Sequence, residues 1–202
     1  MFNLKIDMLK GNILKSLLLF ALPLLISNLF QQLYNTVDTM IIGNHLGDTS
    51  LAAIGASSAV YELLIGFALG FGNGLSVVVA RSYGANDIEL LKKSVAGSIV
   101  VGFLVTIAVM IVSQIGLSPL LELLNTPGNI IDEAYTYINI ISLFVFVMFA
   151  YNLMAGLLRA TGNSFMPLVF LVISSIIHIF LDVILIINFD LGIGGAAIST
   201  VI

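Results

Sequence analysis

Cysteine is absent from these 202 residues, so neither a disulfide framework nor a thiolate metal site can be built. Charge is scarce: 9% of residues are Asp, Glu, Lys or Arg, against roughly 25% in a soluble domain. With 59% apolar residues and a mean hydropathy of +1.15, a soluble globular protein is excluded. The weak alternation in segments of ~10 residues that marks a transmembrane β-barrel is missing too. The first apolar run, after Lys15, is too long for a signal-peptide core and has no A-x-A-like cleavage site behind it. No internal repeat is visible. What remains is an all-α polytopic membrane protein.

Apolar runs of ~20 residues are the unit of a helical membrane protein. Residues 1–14 read as a polar, interfacial entry, and spans follow at about 16–43, 51–79, 95–117, 134–157 and 166–187. Residues 196–202 read as the opening of a sixth span, cut short. Residues 118–132 read as a loop with a short amphipathic piece, since Pro119, Pro127 and Gly128 interrupt them. Span 2 carries Gly66, Gly70 and Gly74 at four-residue spacing, which predicts close approach of a neighbouring helix. Five complete spans and the opening of a sixth cannot close a symmetrical bundle, so the pattern reads as part of a longer all-α membrane protein.

The basic residues sort by side. With a cytoplasmic N-terminus, the inner segments hold Lys5, Lys10, Lys15, Arg81, Lys92, Lys93 and Arg159, which is every Lys and Arg in the chain. The outer loops hold only Asp48, Glu122, Asp132, Glu133 and Asp190. This is the positive-inside distribution, and it predicts a multi-pass protein of the inner (plasma) membrane.

Acids inside the spans are the chemistry-bearing exceptions. At ~100° per residue, Ser27, Gln31, Tyr34, Asn35 and Asp38 share one face of span 1, opposite Leu29, Phe30, Leu33, Val37 and Met40. Ser174, Ser175, His178 and Asp182 share one face of span 5. A carboxylate at bilayer depth costs at least ~2.5–3.5 kcal/mol on insertion scales, so such residues have partners. Two facing stripes would enclose a hydrated pocket in which no Lys or Arg neutralises the acids. Such a carboxylate either takes a proton or holds a small cation, Na⁺ being the metal form of the site at Asp38 and Asp182. The plain structural alternative is a protonated acid that bonds between helices. Glu62 reads as an outer-vestibule or interfacial residue, and Tyr137, Asn139, Ser142 and Asn152 on span 4 are further cavity-lining positions.

Four motifs then carry a resemblance: Val37-Asp-Thr-Met-Ile-Ile-Gly-Asn-His-Leu-Gly47, Leu51-Ala-Ala-Ile-Gly55, Ala80-Arg-Ser-Tyr-Gly-Ala85 and Leu158-Arg-Ala-Thr-Gly-Asn-Ser-Phe-Met-Pro167. Their order and spacing resemble the multidrug and toxic compound extrusion (MATE) family of secondary transporters over almost the whole chain. The resemblance implies a twelve-helix protein of two six-helix lobes, this chain being most of the N-terminal one, and exchange of H⁺ or Na⁺ for amphipathic, often cationic compounds by alternating access. It implies a cation site at Asp38 and Asp182 completed by Thr200, with Gln31, Tyr34, Tyr137 and Asn152 nearby. One position departs: such transporters often carry an amide where this chain has His178, which tilts the coupling ion toward H⁺.

The expected function is therefore cation-coupled antiport, with small amphipathic substrates, the lipid bilayer and a C-terminal lobe as partners. No cofactor beyond the coupling ion, no nucleic acid and no enzymatic activity is expected. A lipid-linked oligosaccharide flippase of the same superfamily and an inactive half-transporter fragment stand as alternatives, although a flippase would line its cleft with basic residues. An intramembrane aspartyl protease needs Tyr-Asp and Gly-x-Gly-Asp contexts, whereas the contexts here are Thr-Val-Asp38 and Phe-Leu-Asp182.

Overall fold

The computed structural model describes residues 11–202. Lys5, Lys10 and most of the expected polar entry lie outside the described residues. All regular structure within the described residues is helical.

Helix α1, Ile13–Gly84, has 72 residues. At ~1.5 Å per residue, a straight helix of that length would span ~108 Å, more than three times the ~30 Å bilayer core. It is broken at Gly47, where φ is 82° and ψ −177°. Only glycine reaches that region without strain, so the turn between the expected spans 1 and 2 narrows to one residue. Asn12 caps the start by accepting from the Lys15 amide at 3.2 Å.

After α1, Asn86 takes a left-handed φ of 59°. Asp87 then caps helix α2, Ile88–Leu123, accepting from the Leu90 amide at 2.9 Å. The expected loop from residue 118 is thereby corrected: α2 continues through Pro119 to Leu123. Leu117 and Leu121, 1% and 0% exposed, hold that last stretch in the core. Proline removes one helical hydrogen bond, and packing by the two leucines outweighs that loss. Asn125, at φ 54°, ends the helix in a left-handed cap.

The expected span 4 is two helices, α3 (Ile131–Leu143) and α4 (Val145–Ala160), bent by 49° at Phe144. Gly162, at φ 82°, turns the chain back, its amide and that of Asn163 bonding to the Arg159 and Leu158 carbonyls. Helix α5, Phe165–Asp182, then runs into a π-helical segment, Val183–Asn188, in which the Phe189 amide reaches the Ile184 carbonyl five residues back. Helix α6, Gly192–Val201, starts four residues before the expected opening at 196. Helices α1, α2 and α5 with its π-helical extension are each long and apolar enough to cross a bilayer, and the bent α3–α4 pair is a fourth such unit.

Helix α3 lies at the centre: Ala134, Ile138 and Ile141 are fully buried, packed with Leu117, Leu121, Ala196 and Ala197. Lipid tails are as apolar as leucine, so close backbone approach rather than water exclusion holds such helices together. The approach occurs at Gly72, where a Cβ would stand 3.3 Å from the Asn152 and Leu153 backbone, and at Gly156, where it would meet the Gly72 carbonyl at 3.2 Å. The Gly66, Gly70 and Gly74 stripe does not pack as expected: no neighbouring helix among the described residues comes within 4 Å of a Cβ placed there. With Phe67, Phe71 and Leu75 these glycines line an open groove of about 450 Å³. The two ends of the lobe are tied by long-range polar contacts. Ser50 donates to Glu133 at 2.7 Å at one end. Toward the other, Arg159 donates to Asn73 at 3.4 Å and Ser82 pairs with Ser94 at 2.9 Å.

Candidate functional site

Helices α1 and α5 bring Asp38, His178 and Asp182 together. One ligand atom from each lies within 4.8 Å of the other two. Asp182 is 0% exposed at the last α-helical turn before the π-helical segment, and Asp38 is half-buried. Among the described residues no Lys or Arg is paired with either acid.

Each ring and carboxylate has an outer support. Ser199 donates to Asp182 Oδ1. His178 Nε2 lies 3.4 Å from Thr200 Oγ1, and Tyr34 packs edge-on to the imidazole with centroids 5.9 Å apart. Tyr137, buried on α3, stands beside Asp38 and Thr200. Gln31 sits next to Tyr34 one turn earlier. The inward atoms are unsupported: Asp38 Oδ1, His178 Nδ1 and Asp182 Oδ2 are buried without a hydrogen-bond partner. The last two are 3.5 Å apart, close enough for an ion pair but not aligned as a hydrogen bond.

Other expected positions fall outside this cluster. Asn152 spends its amide on the Met148 carbonyl of its own helix at 2.8 Å. Asn35 is exposed and accepts from Thr39 through its backbone carbonyl. Ser174 and Ser175 both bond back to Leu171, and Ser27 to Pro23, so these hydroxyls are satisfied within their helices. Ser142 joins Ser113 and Gln114 in a separate network beside the bend at Phe144. Asn139 keeps a buried Oδ1 with no partner, and Glu62 is exposed. Two residues were not anticipated: Ser199, on the Asp182 carboxylate, and Tyr61, close to Tyr34, Tyr137 and Asp38. Adjacent hydroxyls at Ser199 and Thr200 were the available signal. Tyr61 belongs to no polar stripe and gave none.

Membrane-length apolar helices around a buried acid–imidazole–acid cluster, with an open groove along one glycine-rich face, define a polytopic helical membrane protein. The chain belongs to the MatE family, whose model matches residues 23–184. It is 34% identical over 197 residues to the "Probable multidrug resistance protein YoeA" of Bacillus subtilis, covering 96% of this chain and 42% of that protein. It is 26% identical over 194 residues to the "Multidrug export protein MepA" of Staphylococcus saprophyticus, covering 96% and 43%. Among solved structures, the "Outward-facing conformation of a multidrug resistance MATE family transporter of the MOP superfamily" superposes with a TM-score of 0.91 at 27% identity, covering 98% of this chain and 44% of that one. A MATE protein in the bent conformation gives 0.88 at 28% identity, covering 97% and 44%. The chain thus spans under half the length of the curated relatives it matches, as one lobe of such a transporter does.

Proposed function

We propose that this chain is the N-terminal lobe of a cation-coupled antiporter that exports amphipathic, cationic compounds across the plasma membrane, with its N-terminus cytoplasmic. The observation that carries the reading is the meeting of Asp38, His178 and Asp182 inside the lobe without a Lys or Arg partner among the described residues. In the absence of a proton or cation, two carboxylates at that depth repel each other and lack solvent. Loading the site removes that repulsion and favours whichever lobe conformation brings the acids together. An ion couples to substrate only through such a difference in affinity between two states. The names of the curated relatives, multidrug resistance and multidrug export, support the substrate class. Span interiors free of Lys and Arg favour this reading over a pyrophosphate-handling flippase.

The partner surface is a second lobe, against which the exposed, largely unpacked first half of α1 and the groove at Gly66–Gly74 would rock. The test is resistance to a lipophilic cation in a drug-hypersensitive bacterium expressing the full reading frame. Asp38→Asn is expected to return resistance to the vector level while membrane insertion is unchanged. Equal resistance in wild type and this variant overturns the role of Asp38.

A further inference from the structure

We infer that Asp38, His178 and Asp182 form a binding site for a divalent transition cation of the Zn²⁺ or Co²⁺ class. This deepens the coupling-site reading above and rests on the same cluster. Three observations lead to it.

The first is the donor set. Two carboxylates and an imidazole are borderline ligands that suit Zn²⁺, Co²⁺ and Ni²⁺; imidazole nitrogen is a poor match for the hard cations that prefer oxygen alone. His178 supplies that nitrogen on the face where it meets both acids.

The second is spacing. Zinc–ligand bonds of ~2.0–2.2 Å in a tetrahedron place ligand atoms ~3.3–3.5 Å from each other. His178 Nδ1 and Asp182 Oδ2 stand 3.5 Å apart. All three donors lie within 4.8 Å of one another, so they converge on one small volume. These inward atoms are the ones left without hydrogen-bond partners, and Asp182 is fully buried. Thr200 Oγ1 donates its proton to the Ala196 carbonyl, so toward His178 Nε2 it serves as acceptor, which leaves the Nδ1 lone pair on the side of Asp182 Oδ2. Ser199 on Asp182 and Thr200 on His178 are the outer-shell bonds that orient metal ligands.

The third is charge. One monovalent ion leaves one of the two carboxylates, buried Asp182 and half-buried Asp38, uncompensated. A divalent cation neutralises both, and no Lys or Arg among the described residues competes for them.

The experiment is a Co²⁺ titration of the purified full chain in detergent at neutral pH with Na⁺ in excess, followed by visible d–d absorption. The expected result is a saturable 1:1 spectrum of a four- or five-coordinate ion, abolished by Zn²⁺. His178→Asn is expected to weaken Co²⁺ at least about tenfold while circular dichroism and melting stay as in wild type. Asp182→Asn provides a second loss-of-ligand variant if the first is poorly folded. Absence of the bands in the wild type, or equal binding by a well-folded His178→Asn, overturns the inference. Resistance of the Asp38→Asn variant decides the coupling reading separately: a silent Co²⁺ titration with lost resistance leaves coupling standing and removes the metal.

Discussion

Ser199 donates its hydroxyl to Asp182 Oδ1, across 17 residues and from a different helix. The same hydroxyl lies 2.8 Å from the Ala196 carbonyl in α6. One small side chain therefore fastens the last helix to the buried acid and fixes which carboxylate oxygen faces His178.

Ser199→Ala removes the hydrogen bond to a fully buried carboxylate. Bonds to charged groups contribute ~1.5–3 kcal/mol, so the variant is expected to melt several degrees lower in detergent. Ser199→Thr keeps a hydroxyl at the same position and is expected to recover most of that loss. Identical melting of the alanine variant and wild type would show that the bond does not hold α6 in place.

At Gly195 a Cβ would lie 3.2 Å from the Leu185 backbone carbon and oxygen. Backbone atoms in a packed turn cannot move aside as a flexible side chain can. Gly195→Ala is expected to cost ~1–3 kcal/mol, as overpacking does, and to loosen the Ser199 contact with it. Thermal unfolding of this variant beside Gly194→Ala, whose nearest neighbour is a side-chain methyl at 3.9 Å, supplies the control.

The Gly72–Gly156 crossing makes a similar demand between helices. Gly156→Ala meets Ser76 Cβ at 3.1 Å and the Gly72 carbonyl at 3.2 Å. It is expected to destabilise the lobe by ~1–3 kcal/mol, whereas Gly70→Ala, facing the open groove, is expected to leave melting unchanged. A reversed order of the two would place the helix contact on the groove side of α1.

Ser50 and Glu133 join the start of the second half of α1 to the first turn of α3. A double-mutant cycle with Ser50→Ala and Glu133→Gln is expected to show a coupling of ~0.5–1.5 kcal/mol. Additive losses would show that the pair contributes nothing beyond its separate residues.

Topology is open to chemical labelling because the chain has no cysteine of its own. In intact cells a membrane-impermeant maleimide is expected to label Asp48→Cys. Lys92→Cys is expected to react only after permeabilisation. The opposite pattern would invert the orientation argued from the basic residues.

The acids were legible because a carboxylate inside an apolar helix stands out against its neighbours, and helical phase alone placed His178 beside Asp182. Long-range partners were harder. Gly192, Gly194 and Gly195 made the start of α6 read as a loop, which left the phase of the following hydroxyls unset: Thr200 was expected through the family resemblance, and Ser199 was not expected at all. Pro119 read as a stop, since nothing local reveals that Leu117 and Leu121 are fully buried on either side of it. The four-residue glycine spacing was visible, but which face of the helix a neighbour occupies is decided by tertiary packing. The chain chose Gly72, one residue type without any repeat to advertise it. Asn152, expected to line the cavity, gives its amide to its own backbone, an option open to any helical asparagine.

The π-helical stretch from Val183 to Asn188 follows directly on Asp182. A wide turn of this kind accommodates one surplus residue relative to an α-helix. Removing one residue there would let the segment relax to ordinary pitch with the helix faces on either side still in phase. Ser199 and Thr200 would then keep addressing the same side of the bundle. The six positions therefore act as a buffer of chain length between Asp182 and α6, tolerant of exchange among Val, Ile and Leu and of a single deletion.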